Sequence, residues 1–298
     1  MAETKCGFAT LLGAPNAGKS TLVNYMVGAK VSIVSPKVQT TRSRVRGIFV
    51  KDNCEIVLVD TPGIFKPRRR LDRAMVASAW SEAEFCDVRL LVVDAKRGLD
   101  DDTRSIVRSL QKNKEKASLV LNKVDLVKGE RLLKLSRELN ELYSFDATFM
   151  VSALSGDGIN DLEKYLISKM PEGPFMFPED QVSDLPNRLL AAEITREKLY
   201  LNLRDELPYA LTVETEMWKD NPDGSSRIEQ TIYVEKDNQR RIILGKGGSM
   251  IKKIGSQSRQ ELEELFESRI HLFLFVKVRE KWGDDPARYR DWGLDFNA

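Results

Sequence analysis

Apolar and polar positions follow two rhythms along this chain. Up to about residue 169, short apolar runs alternate with longer stretches in which apolar residues recur at helical spacing. The run Phe8-Ala9-Thr10-Leu11-Leu12 reads as a buried strand, and Leu22-Val23-Asn24-Tyr25-Met26-Val27 as the first turns of a helix. A paired strand set is predicted over 45–51 and 55–59, with further strands over 118–121 and 149–151. Such alternation predicts a mostly parallel α/β sheet. Residues 171–180 break the pattern: dense in proline and without helical periodicity, they read as an ordered connector rather than a flexible tether. Beyond them Leu189, Ile194, Leu199 and Leu203 mark a helix over 186–205. Alternating strands over 210–218 and 227–235 flank Asn221-Pro222-Asp223-Gly224, a strong turn signal. Two short helical segments and a closing strand over 270–278 follow. The predicted organisation is a first domain over 1–170, a connector over 171–186 and a second domain over 187–298 that ends in a helix.

Length, charge and cysteine usage narrow the class. The 298 residues suffice for two domains, and the formal net charge of +2 makes any nucleic-acid site a local patch rather than a global field. Three widely spaced cysteines form no CxxC pair, which points to a reducing compartment. The single histidine, His271, lies in a strand-like run and excludes a His-based metal cluster or a Ser-His-Asp triad. No signal-peptide pattern, lipidation signal or apolar run of membrane-spanning length occurs, so the chain is expected to be soluble, or at most peripheral to a membrane.

The chemistry sits at strand ends. Gly13-Ala14-Pro15-Asn16-Ala17-Gly18-Lys19-Ser20-Thr21 has the spacing G-x-x-x-x-G-K-[ST] between a predicted strand and a predicted helix. Its backbone N–H groups and the helix N-terminus favour a phosphate, Lys19 reaches the β- and γ-phosphates, and Ser20 offers a hydroxyl to Mg²⁺. Asp60-Thr61-Pro62-Gly63 ends the second paired strand. Asp60 is placed to hold a water on Mg²⁺, and the Gly63 N–H to meet the γ-phosphate. Asn122-Lys123-Val124-Asp125 is the base reader: the Asp125 carboxylate only accepts, and guanine offers the matching N1–H and N2–H₂ donors. Ser152-Ala153 follows a predicted strand end and resembles the usual last piece of a guanine pocket in this kind of fold.

A second constellation lies in Arg240-Arg241-Ile242-Ile243-Leu244-Gly245-Lys246-Gly247-Gly248-Ser249-Met250-Ile251-Lys252-Lys253-Ile254. Gly245-Lys246-Gly247-Gly248 is a G-x-x-G loop of the kind with which KH domains clamp single-stranded nucleotides. Residues 240–260 hold basic residues and no Asp or Glu. Arg240, Arg241, Lys246, Lys252 and Lys253 would meet phosphates, Gly245, Gly247 and Gly248 would let the backbone approach, and Ile243, with Leu244, Ile251 and Ile254, would floor a base groove. The element order α-β-β-α-loop-α-β is that of a type II KH domain. The basic run Lys66-Pro67-Arg68-Arg69-Arg70 is either an RNA contact or a solvated loop.

The first set of motifs resembles the translation-factor-like branch of the Ras-type P-loop GTPases, and the whole chain resembles the bacterial Era family. The resemblance implies GTP hydrolysis through Mg²⁺, with 31–47 and 60–72 as the two switches and GTP or GDP as ligand. It places Thr41, directly before Arg42 in Gln39-Thr40-Thr41-Arg42, as the switch hydroxyl on Mg²⁺, with Thr40 as the alternative. Lys19, Thr41, Gly63 and Asn16 become the catalytic set, Asn16 through a K⁺ ion near the phosphates. Ile64 stands where Ras-like enzymes carry a water-orienting Gln, which implies slow intrinsic turnover. The family further implies a cytoplasmic assembly factor for the small ribosomal subunit. It would bind the 3′ end of small-subunit rRNA and associate peripherally with the inner membrane, with no role on DNA. The alternatives are the GTPase module of an RNA-modification system or of membrane-associated signalling.

Overall fold

In the computed structural model, which describes residues 4–298, the chain divides into two units. The first holds residues up to 34, 38–184 and 287–298. Its strands are β1 (Lys5–Leu12), β2 (Val45–Lys51), β3 (Cys54–Asp60), β4 (Val88–Asp94), β5 (Ser118–Asn122) and β6 (Thr148–Met150). The helices are α1 (Lys19–Val27), α2 (Arg70–Glu84), α3 (Asp101–Asn113), α4 (Gly129–Leu142) and α5 (Ile159–Lys169). The sheet runs β2-β3-β1-β4-β5-β6; β2 pairs antiparallel with β3 and every other pair is parallel. The predicted Ras-like P-loop architecture is therefore the observed one.

Parallel central strands are covered on both faces, which is why β1, β3, β4 and β5 are near-continuous apolar runs. Leu11, Ile56, Leu58, Leu90 and Val120 pack on one face with Leu22 and Leu162, while Leu12, Leu91 and Leu119 pack on the other with Ile106 and Leu139. Of the polar exceptions Asp60, Asp94, Ser118 and Asn122 fall at strand ends, while Thr10 and Glu55 are buried within β1 and β3. Glu55 is fully buried, and its carboxylate accepts from the Cys6 thiol at 2.9 Å and from the backbone N–H groups of Met176 at 2.8 Å and Phe177 at 3.1 Å. A paired donor set of this kind offsets the cost of burying a carboxylate. It also fastens the proline-rich connector, and the Ile48 N–H donates to Val182 O farther along it.

The second unit holds residues 35–37 and 185–286. It comprises α6 (Asn187–Asn202), β7 (Leu211–Asp220), β8 (Ser226–Val234), α7 (Asp237–Leu244), α8 (Ser249–Phe266) and β9 (Ile270–Val278). The order β7-β8-β9 has an antiparallel first pair and a parallel second pair, as the KH reading required. Leu199, Leu211, Ile232, Val234 and Ile254 fill the core between sheet and helices. A register shift between Thr215 and Met217 marks a bulge that alternation did not signal.

From residue 287 on, the last helix, α9 (Pro286–Asp291), and the residues after it group with the first unit, whereas the sequence reading assigned them to the second domain. The Arg70 guanidinium lies 4.3 Å from the Phe296 ring centroid, and Tyr289, fully buried, meets Phe296 edge-on at 5.0 Å. Tyr289 therefore serves packing and offers no stacking surface. Among the described residues, no helix is long and apolar enough to cross a membrane.

Candidate functional site

The loop from Gly13 to Gly18 leaves β1 and delivers Lys19 as the first residue of α1. Lys19 is buried, and its ammonium donates to the carbonyls of Gly13 at 3.1 Å and Ala14 at 3.2 Å. Burial lowers its pKa to about 8, opposed in part by the nearby Asp60 carboxylate. The ammonium thus sits in the loop it would use to meet phosphate oxygens.

Three hydroxyls converge on Asp60 at the end of β3. Ser20 donates to Asp60 Oδ2 at 2.6 Å, Ser32 to the same oxygen at 2.7 Å, and Thr41 Oγ1 lies 3.4 Å from it and 3.0 Å from Ser20 Oγ. The other carboxylate oxygen, Oδ1, is buried with no hydrogen-bond partner among the described residues. Burial pushes the Asp60 pKa above the ordinary carboxylate range, against the lowering effect of Lys19 and of the three hydroxyls. One carboxylate and two or three hydroxyls are hard oxygen donors. They suit Mg²⁺, which keeps several waters and takes its remaining ligands from phosphates. Among the described residues no cluster of three His, Cys, Asp or Glu offers an alternative metal site. The geometry brings Thr41 to this group.

Ser32 was not among the residues read from sequence. Asn24 of α1 secures it: Asn24 Oδ1 accepts from the N–H groups of Val31 at 3.0 Å and Ser32 at 2.9 Å, and Nδ2 donates to Ser32 O at 2.7 Å. The segment after β3 meets the phosphate loop, where the Ile64 N–H donates to Gly13 O at 3.0 Å. A Cβ on Gly63 would lie 2.8 Å from Pro15 Cα, so only glycine allows this approach. Thr61 is buried and donates to Leu11 O at 2.6 Å. The Ile64 side chain packs in the apolar core with Leu12 and Ala79.

Asn122 joins three segments. Its Nδ2 donates to Ala17 O at 2.9 Å, while Oδ1 accepts from Lys123 N at 2.8 Å and Ala153 N at 3.0 Å. Lys123 reaches back to Asn16 O at 2.7 Å and pairs with Asp94 Oδ2 at 2.6 Å. Asp94, at the end of β4, is a second residue that motif reading missed. Asp125 is exposed at the mouth, and Ser152 and Ala153 are buried beside Asn122. Asn16 has a left-handed backbone, φ 64°.

In the second unit, Gly245, Gly247 and Gly248 all have positive φ, and the loop links α7 to α8. A Cβ on Gly247 would meet nothing within 4 Å, so this turn faces open space. Lys246, Lys252 and Lys253 are exposed around it. Arg240 and Arg241 are held by Asp237, at 3.5 and 2.9 Å, an acid just outside the acid-free window. The structure corrects the expectation for Ile243. It is 0% exposed in the core with Leu199 and Val234, so it supports the loop from within and touches no ligand. Ile254 is buried likewise. A groove of about 370 Å³ lies instead along α8 and β9, lined by Ile251, Lys252, Gly255, Arg259, Leu272 and Leu274. Its Leu272 and Leu274 belong to the closing strand, whose alternation gave no sign of a ligand surface.

Comparison with known proteins agrees with both domains. A family model described as 50S ribosome-binding GTPase matches residues 8–123, and a KH domain model matches 206–283. GTPase Era of Afipia carboxidovorans is 60% identical over 98% of this chain and 95% of its own length. GTPase Era of Brucella suis is 58% identical over 99% of this chain and 94% of its own. Two crystal structures, each 36% identical, superpose with a TM-score of 0.92 over 97% of this chain and 99% of theirs. One is Era in complex with MgGDPNP and nucleotides 1506–1542 of 16S ribosomal RNA; the other is an Aquifex aeolicus Era variant bound to GDP and AlF₄⁻.

Proposed function

The chain belongs to the Era family of GTPases, and on that footing we propose that it is a nucleotide-switched assembly factor for the small ribosomal subunit. It hydrolyses GTP to GDP and phosphate and binds the 3′ end of small-subunit rRNA through its KH domain. The functional division is a GTPase domain over 1–170 to which the tail 287–298 returns, a connector over 171–186 and the KH domain over 187–286. The observation that carries the reading is the coexistence of two complete sites on one chain. The first is the Ser20–Thr41–Asp60 oxygen cluster beside Lys19, and the second is the open glycine loop bordered by Lys246, Lys252 and Lys253.

In the first site Gly13 to Thr21 cradle the phosphates, Lys19 carries positive charge to the β- and γ-oxygens, and Asp125 selects guanine. Ser20 and Thr41 would ligate Mg²⁺ and Asp60 would hold one of its waters. When bound, the ion neutralises charge that develops on the transferred phosphoryl group. The backbone N–H of Gly63 is the protein's own donor to the γ-phosphate. Ile64 leaves the attacking water without a side-chain orienter, so intrinsic turnover is slow. Asn16 would help hold a K⁺ ion that lends charge stabilisation, and replacement of K⁺ by Na⁺ should then lower kcat. In the second site bases lie against Ile251, Leu272 and Leu274 while lysines and the glycine loop take the phosphates. The setting is cytoplasmic, with peripheral contact at the inner membrane.

A short single-stranded RNA matching the small-subunit 3′ end tests the reading directly. The chain should bind it with an affinity that differs between the GDPNP and GDP states, since a nucleotide that shifts the switches also shifts the site coupled to them. No binding of this RNA in either nucleotide state would overturn the assignment.

A further inference from the structure

Gln39 opens the Gln39-Thr40-Thr41-Arg42 stretch, and Asp72 lies in the first turn of α2, so the two sit on the two segments that flank the phosphate site. Gln39 Nε2 donates to Asp72 Oδ1 at 3.0 Å. The acceptor is fixed in advance. Asp72 is 4% exposed, and its Oδ2 takes the backbone N–H groups of Arg68 and Arg69, each at 3.0 Å, at the start of α2. The donor is held at a cost, because Gln39 has φ 58°, a left-handed conformation that a non-glycine residue seldom adopts. Two residues later Thr41 sits on the Ser20–Asp60 cluster. Nine residues before Asp72, Gly63 lies against Pro15. The bond is therefore formed in an arrangement with both loops drawn onto the phosphate site.

We propose that Gln39 and Asp72 form a latch between the two switch loops, and that Gln39 is a positioning residue which keeps Thr41 on the metal when a γ-phosphate is present. The inference rests on the GTP reading of the site. Its energetic logic is that a contact present only in the closed arrangement favours the ligand that closes it. A nucleoside triphosphate gains from the latch, and a diphosphate, which has no γ-phosphate for Thr41 and Gly63 to gather round, does not.

The test is a cycle on the full chain, read as the ratio of GDPNP to GDP affinity in Mg²⁺, with a thermal unfolding midpoint for each variant. Gln39→Glu sets a carboxylate against Asp72 and should lower GDPNP affinity about tenfold with GDP affinity unchanged. Gln39→Glu combined with Asp72→Asn reverses the bond. The new amide at position 72 keeps an oxygen to cap α2, and its nitrogen donates to the new carboxylate at position 39. The double variant should recover GDPNP affinity to within about twofold. An unchanged ratio in Gln39→Glu, an equal loss for both nucleotides, or a double variant no better than Gln39→Glu would overturn the latch. Failure of the unsubstituted chain to bind either nucleotide would instead overturn the GTP reading, and the latch with it.

Discussion

Ser32 donates its hydroxyl to Asp60 Oδ2 across 2.7 Å, and so a residue of the first switch holds the carboxylate that ends β3. Ser20 and Thr41 press on the same oxygen, which leaves Oδ1 turned to the unpaired side. Ser32→Ala should loosen this orientation while costing only about 1 kcal/mol of fold stability, since the other hydroxyls remain. Mg²⁺-dependent GDPNP affinity should fall roughly threefold to tenfold. Equilibrium binding across a Mg²⁺ series checks it, and an unchanged Mg²⁺ dependence would show Ser32 to be mere packing.

Lys19 supplies a pH prediction. In the chain without nucleotide its pKa is lowered from 10.5 to about 8 by burial, so above pH 8 the folded chain has shed a proton that the unfolded chain keeps. This group alone makes folding stability rise with pH between about 8 and 10.5. Nucleotide phosphates favour the charged ammonium, so GDP binding should take up a proton above pH 8. Affinity should fall by up to about tenfold from pH 8 to pH 9. Calorimetry in buffers of different ionisation enthalpy reads the uptake, and none at pH 8.5 would refute the assignment.

The exposed Asp125 makes base choice a separate prediction. Asp125→Asn replaces an acceptor by a donor opposite the guanine N2–H₂, and should cost GTP affinity about 100-fold or more. Xanthosine triphosphate, which has a carbonyl at that position, should gain in return. Competition between the two nucleotides measures the exchange.

In the second unit the sharper variant is Gly247→Asp rather than a change at Gly245. A Cβ at Gly245 would lie 2.8 Å from Met250 N, whereas at Gly247 it meets nothing within 4 Å. Asp tolerates the φ of 60° found there better than most residues. The fold should survive with an unfolding midpoint within a few degrees of the parent. The added carboxylate should weaken binding of a single-stranded RNA by about tenfold or more through repulsion of its phosphates.

What the amino-acid string made legible and what it did not divide along a physical line. Lys19, Asp60, Asn122 and Gly247 were legible because their chemistry demands fixed residue types at fixed spacing beside a strand or helix end. Ser32, Asp94 and Asp72 act through partners 28, 29 and 33 residues away. Such pairings are made by the sheet order β2-β3-β1-β4-β5-β6 and leave no periodic trace. Glu55 reads as an ordinary polar strand residue, yet the connector around Met176 and Phe177 hangs on it. Ile243 was misplaced because helical periodicity says that a residue is apolar, not which side of a short helix is covered. The tail was misplaced because ring packing between Tyr289 and Phe296 and the stacking of Arg70 depend on a fold already formed.

The central claim is that the two sites serve one switch. The most direct measurement is the steady-state GTPase rate of the full chain in KCl with Mg²⁺, with and without a short RNA matching the small-subunit 3′ end, and with Gly247→Asp as control. The account predicts that this RNA changes the rate of the unsubstituted chain and leaves the variant at its basal rate. An unchanged rate while the RNA is bound would contradict it, and would leave two modules that share a chain without sharing a mechanism.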